Sequence, residues 1–299
     1  MKTRTIGSLE VSLVGLGTNN FGGRLDLTAT RTVLDASLDV GINFLDTADI
    51  YGDTLSEEFI GEALRDRRDR VVLATKFGIA IDDARPGGAS PAYVRRALED
   101  SLRRLQTDFV DLYQLHEPDP ATPIADTIGV LQELRDEGKI IEIGCSNFTV
   151  AQLREAGGAF ASVQNEYSLL EREAEADVLP YCEAEGIAFL PFFPLAHGLL
   201  TGKYRRDLAP QPGTRLAGFD AERRGSLLTG DAFTTVEQLE AFAQDRGHTL
   251  VELAIAALTA QPAIASVIAG ATSAEQVAAN AAAASWELGR DELELVHSL

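Results

Sequence analysis

Eight short apolar runs, each followed by a stretch with helical spacing, alternate along the chain, and this rhythm constrains the fold more than any other feature. The runs lie near Val11–Gly17, Asn43–Leu45, Arg70–Lys76, Phe109–His116, Ile140–Cys145, Ser162–Asn165, Ile187–Phe192 and Ile264–Ala269. Most do not alternate apolar with polar residues, which is the pattern of strands buried on both faces in a parallel sheet covered by helices. Local punctuation agrees: Pro91 and Pro123 stand at helix starts, and Gly41 and Gly138 at helix stops. Eight strand–helix units in 299 residues predict an α/β fold of the (β/α)8 TIM-barrel type better than an open sheet with a second domain. Residues 4–13, turning at Gly7-Ser8, read as an N-terminal β-hairpin, and residues 196–230 as a long loop after strand seven. Residues 1–299 are thus expected to form a single domain. No Gly-x-Gly-x-x-Gly opens a helix after a strand, so a Rossmann site is disfavoured.

A barrel of this kind collects its chemistry at the C-terminal ends of the strands. The second run ends at Asp46, with Tyr51 on the loop that follows. The third ends at Lys76 and the fourth at His116. Consecutive strands are neighbours, so a carboxylate, a phenol, an ammonium and an imidazole are expected to converge. Each has a purely structural alternative: Asp46 as a turn cap, Tyr51 as a half-buried loop aromatic, Lys76 as a solvated strand end, His116 as a packed core residue. Together they suit acid–base chemistry. Asp46 would hold Lys76 charged, and Lys76 is expected to pull the Tyr51 pKa down from its usual value of about 10. Asp49, in the same loop, gets no role.

Composition narrows the partners. Forty-six acids against 26 bases leave a net charge of −20, which argues against nucleic acid or an anionic membrane surface as partner. Cys145 and Cys182 are expected to be reduced core thiols rather than a disulfide or a metal site. Neither a signal-peptide apolar stretch nor a membrane span is visible, and a cytoplasmic location is the default expectation.

The motifs carry a family resemblance. Gly41-Ile42-Asn43-Phe44-Leu45-Asp46-Thr47-Ala48-Asp49-Ile50-Tyr51-Gly52, Ala74-Thr75-Lys76, Asp111 to His116, Gly144 to Phe148, Gln164 to Ser168 and Pro194 to Lys203 are together similar to the aldo-keto reductases, from Val14 to about Asn280. The resemblance implies the tetrad Asp46, Tyr51, Lys76 and His116 and a nicotinamide cofactor, NADP(H) or alternatively NAD(H), with no metal. It also implies cofactor contacts from Gly17, Thr18 and Asp46. Ser146, Asn147 and Gln164 would bind the carboxamide, and Phe192 would stack on the nicotinamide. Pro194 and Leu195 would lie alongside. Gly198, Leu199, Gly202 and Lys203 would meet the diphosphate, with Arg215 closing over it. Gly270, Thr272, Gln276 and Asn280 would take the adenosine end.

Two positions depart from the pattern. Phe193 stands where many relatives have serine, and residues 268–276 lack the lysine or arginine that often grips a 2′-phosphate. The expected activity is NADP(H)-dependent reduction of aldehydes or ketones, with a small carbonyl compound as partner. The alternatives are an NAD(P)-dependent dehydrogenase of sugars or alcohols working in the oxidising direction, or a cofactor-binding regulatory subunit. Substrate identity and oligomeric state are not readable from the sequence.

Overall fold

A computed structural model describes residues 1–299. The chain opens with an antiparallel hairpin, β1 (Thr3–Ile6) and β2 (Leu9–Ser12). Eight parallel strands follow: β3 (Val14–Gly17), β4 (Phe44–Asp46), β5 (Val72–Phe77), β6 (Val110–Leu115), β7 (Ile140–Ser146), β8 (Ser162–Glu166), β9 (Ala188–Phe192) and β10 (Val267–Gly270). They pair in sequence order, and β10 returns to β3 to close the barrel. Closure leaves no strand edge unpaired, which is why an eightfold repeat of buried strands is stable.

Helices α1 (Leu27–Asp39), α2 (Leu55–Leu64), α3 (Pro91–Leu105), α4 (Ile124–Asp136), α5 (Val150–Glu155) and α6 (Val178–Glu185) cover the outside of the first seven strands. Beyond β9 come α7 (Ala221–Leu227), α8 (Gly230–Gln244) and α9 (Leu250–Thr259), then α10 (Ala274–Ala283) and α11 (Arg290–Ser298). No helix is long and apolar enough to cross a membrane.

The strand period of two sorts the barrel interior into layers. Phe44, Ala74, Leu112, Leu190 and Ile268 form an apolar layer, joined by Ile6, Leu9 and Val11 of the hairpin, which plugs the barrel's N-terminal end. Two residues further along their strands come Asp46, Lys76, Gln114 and Phe192, so the layer nearest the C-terminal mouth is mostly polar. Register brings Lys76 opposite Gln114 and Ser146 opposite Gln164.

Three details differ from the sequence reading. The first apolar run is cut at Leu13 into a hairpin strand and a barrel strand. The stretch of helical spacing between the sixth and seventh barrel strands begins as a short 3-10 turn, Glu173–Glu175, before α6. The loop after β9 contains two 3-10 turns and α7 over a second apolar cluster of its own.

The loop carrying Tyr51 is held against the loop after β3. Gly52 has φ +59°, and a β-carbon there would stand 2.3 Å from the Phe21 carbonyl oxygen. Gly52→Ala therefore meets both a disfavoured backbone and a backbone clash. It should destabilise the fold by about 1–3 kcal/mol, lowering Tm, and should cut activity by displacing Tyr51. Thermal melts with parallel assays test this; an unaltered Tm would mean the two loops do not pack this way.

Candidate active site

The four expected catalytic side chains do converge. Lys76 is fully buried, and its Nζ donates to Asp46 Oδ2 at 2.8 Å, to the Thr47 carbonyl at 2.9 Å and to Tyr51 Oη at 3.4 Å. Three acceptors satisfy the three ammonium protons, which makes a buried lysine tolerable. The other carboxylate oxygen of Asp46 accepts from Gln164 Nε2 at 2.9 Å and from Gln114 Nε2 at 3.3 Å. One carboxylate thus joins β4, β5, β6 and β8. The His116 ring meets the Tyr51 ring edge-on, with centroids 5.9 Å apart.

Electrostatics correct one expectation. Burial raises the Tyr51 pKa above its usual value; Lys76 pulls it down but does not outweigh desolvation. At neutral pH Tyr51 therefore carries its proton. Burial works against the charge on Lys76 as well, but Asp46 and Tyr51 outweigh it, and the net shift is upward. Burial, and secondarily Lys76, lowers His116 to about 3, so its imidazole is neutral. This arrangement offers a protonated phenol with a fixed cation behind it and a neutral imidazole beside it, which suits proton transfer to an oxygen.

A cleft of about 630 Å³ opens above this group. It is lined by Gly17, Thr18, Asp46, Tyr51, His116, Ser146, Asn147, Gln164, Phe192, Pro194, Leu195, Gly198, Lys203, Arg215, Gly270, Thr272, Gln276 and Asn280. Two expected contacts lie elsewhere. The Leu199 side chain is buried in the apolar cluster under the loop. Gly202 turns toward Glu240, whose Oε1 would be 3.1 Å from an added β-carbon. Lys203 and Arg215, expected together, have different surroundings. A β-carbon on Gly198 would stand 2.6 Å from Lys203 Nζ, whereas Arg215 lies 4.7 Å over the Phe193 ring and close enough to Tyr51 to favour its ionisation.

The chain's identity follows from comparison with known proteins. The sequence profile of the Aldo/keto reductase family matches residues 13–299. The chain belongs to this family. It is similar to the Bacillus subtilis aldo-keto reductase YhdN, with 35% identity over 97% of this chain and 90% of the relative. It is also 32% identical to a probable voltage-gated potassium channel subunit beta of Arabidopsis thaliana, over 94% of this chain and 90% of that one. Among solved structures it resembles the aldo-keto reductase AKR11C1 from Bacillus halodurans in its holo form. The TM-score is 0.84 and the identity 33%, over 100% of this chain and 96% of that one. The protein is an oxidoreductase of this family, an aldo-keto reductase.

Asn19, Asn20, Arg24, Phe193 and His197 also line the aldo-keto reductase cleft; Phe193 is the position noted above where many relatives have serine, and all lie in loops that carry no periodic signal. Glu57, in the charged helix α2, is fully buried: it accepts from Arg104 Nε at 2.7 Å and Thr75 Oγ1 at 2.5 Å. Asp49 is likewise no solvated loop residue. It is 2% exposed, its backbone N–H donates to the Lys76 carbonyl, and its Oδ1 has no hydrogen-bond partner. Burial first, then Glu57, raises its pKa from 3.8 to about 7. A carboxyl with a raised folded-state pKa favours the fold below its unfolded value, and that contribution is lost as pH rises through the folded value. The Asp49 contribution to stability should therefore fall between about pH 4 and pH 7, so Asp49→Asn should gain in stability relative to the wild type across that window. Tm measured against pH for both proteins tests this; identical slopes would mean Asp49 is ionised throughout.

Proposed function

We propose that this aldo-keto reductase reduces aldehyde or ketone carbonyls to alcohols with NADP(H), Tyr51 acting as general acid. The observation that carries the reading is the buried Lys76–Asp46 pair with Tyr51 Oη 3.4 Å from the ammonium at the floor of an open cleft.

The cleft suits a nicotinamide dinucleotide. Phe192 presents an apolar ring beside the hydrogen-bonding groups of Ser146, Asn147 and Gln164, a platform and a set of polar partners for a flat amide-bearing ring. Gly198 has φ +98° and no side chain between the backbone and Lys203 Nζ, which lets a diphosphate approach a cation closely. When bound, the reduced nicotinamide supplies hydride to the carbonyl carbon. Tyr51 donates its proton to the carbonyl oxygen as charge develops there, and the phenolate left behind is stabilised by Lys76. Neutral His116 orients that oxygen by hydrogen bonding. Because its pKa lies near 3, His116 should cause no break in the rate profile above about pH 5.

The adenosine end bears on the choice of cofactor. The N-terminus of α10, with Thr272, Ser273 and Gln276, offers hydroxyl and amide groups and the positive end of a helix dipole to a 2′-phosphate. One observation favours NAD(H) instead: the Gln276 side-chain oxygen already accepts from the Thr272 N–H at 2.9 Å and the Thr272 hydroxyl at 3.2 Å, and no basic side chain from α10 lines the cleft.

Tyr51→Phe should lower kcat by roughly 10²–10⁴-fold while leaving cofactor binding, followed by fluorescence titration, near the wild-type value. Retention of wild-type kcat would remove Tyr51 from the chemistry. kcat/KM should be higher with NADPH than with NADH; a strong preference for NADH would reverse the cofactor assignment.

A further inference from the structure

Asp49 is a buried acid on the catalytic loop that takes no part in the chemistry proposed above. It stands midway between Thr47, whose carbonyl accepts from Lys76 Nζ at 2.9 Å, and Tyr51. Its backbone N–H donates to the Lys76 carbonyl at 3.1 Å. The loop that carries the phenol is thus tethered at Asp49 to the strand that carries the ammonium. Tyr51 N–H donates to the Ala48 carbonyl at 3.1 Å, so Asp49 and Tyr51 share one hydrogen-bonded turn. Tyr51 lines the cleft. Asp49 does not; its side chain is shut in, with Oδ1 unpartnered.

The groups around Asp49 come from several elements. Glu57 of α2 is held by Arg104 of α3 at 2.7 Å and by Thr75 of β5 at 2.5 Å, so the Arg104 charge is already engaged. Arg85, in the loop after β5, pairs with Asp82 at 2.5 Å. Tyr93 of α3 and Tyr113 of β6 both feel the Asp49 charge, and Tyr113 Oη is itself buried and unpartnered. Burial and Glu57 oppose ionisation of Asp49; Arg104, the Ile50 N–H and Arg85 favour it without outweighing them. A neutral carboxyl fits this enclosure, whereas a carboxylate with an orphaned oxygen is costly there. Ionisation is relieved by moving the side chain toward water. The turn moves with it, because the Asp49 backbone bond to β5 lies only two residues from Tyr51.

We propose that Asp49 is a positioning residue for Tyr51: as a neutral acid it holds the turn that sets the phenol beside Lys76, and on ionisation it lets that turn shift. This rests on the reading of Tyr51 as general acid. Tyr51 and Lys76 are both shifted upward and His116 lies near 3, so none of the three changes charge between about pH 5 and pH 9. A change of rate near neutrality therefore points to Asp49.

The test is the single-turnover rate of hydride transfer to benzaldehyde, which has no titrating group, followed by loss of reduced-cofactor absorbance across neutral pH. NADPH and NADH are compared, because only NADPH carries a 2′-phosphate, which titrates near pH 6. In the wild type the rate should fall roughly tenfold as pH rises through about 7. Asp49→Asn, a neutral isostere, should keep the low-pH wild-type rate within about twofold and hold it to about pH 9. Glu57→Gln should move the break to lower pH, since losing a like charge and freeing Arg104 both favour the Asp49 carboxylate. Cofactor affinity, from fluorescence titration on either side of the break, should stay constant, which separates a shift of Tyr51 from a general loosening of the cleft. A wild-type rate that is flat through neutrality would overturn the positioning role. So would a break that persists unchanged in Asp49→Asn; both outcomes leave the reductase reading standing. No transfer to any carbonyl compound at any pH would overturn both.

Discussion

The ion pair between Lys76 and Asp46 is the interaction on which the rest of the site depends. A fully buried ammonium is costly unless every proton finds an acceptor. Here the three acceptors, Asp46 Oδ2, the Thr47 carbonyl and Tyr51 Oη, all come from β4 and the loop after it. Satisfying Lys76 therefore fixes where that loop runs and where the phenol points. The remaining Asp46 oxygen is engaged by glutamines from β6 and β8. The charge that stabilises the lysine thus also ties together four strands of the polar layer.

That arrangement separates two effects easily confused at the level of sequence. A cation beside a phenol suggests a lowered pKa, but the burial that brings Lys76 and Tyr51 together also desolvates the phenol, and desolvation is the larger effect. A proton donor must hold its proton until the transition state, so a raised pKa on Tyr51 suits reduction. In the proposed reduction the lysine would contribute afterwards, by stabilising the phenolate once the proton has left.

The cluster behind the site shows how far burial changes the meaning of a charged residue. Glu57, Arg104 and Asp49 look like solvent-facing charges in a polar stretch. In the fold Glu57 and Arg104 lock α2 to α3 at 2.7 Å, and Asp49 is shut in with an unpartnered oxygen. At the mouth the reverse holds. Arg24 and Arg215, from loops after different strands, both line the cleft of an acidic protein.

Much of the fold was legible in the sequence because it rests on local signals. Unalternating apolar runs, helix-opening prolines and helix-ending glycines mark eight strand–helix units, and the C-terminal strand ends locate Asp46, Lys76 and His116. The tetrad could be read because three of its members follow directly from those ends. The placement of loop side chains such as those of Asn20 and His197 could not, because the paths of their loops carry no period. Nor could the fates of Leu199 and Gly202, which depend on which way one tight turn faces. The sequence by itself determined the barrel and the meeting of Asp46, Lys76 and His116 at its C-terminal mouth, since burial pattern and strand order follow from residues close in the chain. Tertiary structure alone decided the direction of the Tyr51 shift, the burial of Asp49 and the company Arg215 keeps. Those depend on desolvation and on charges brought together from distant segments, and neither quantity is carried by any single stretch of chain.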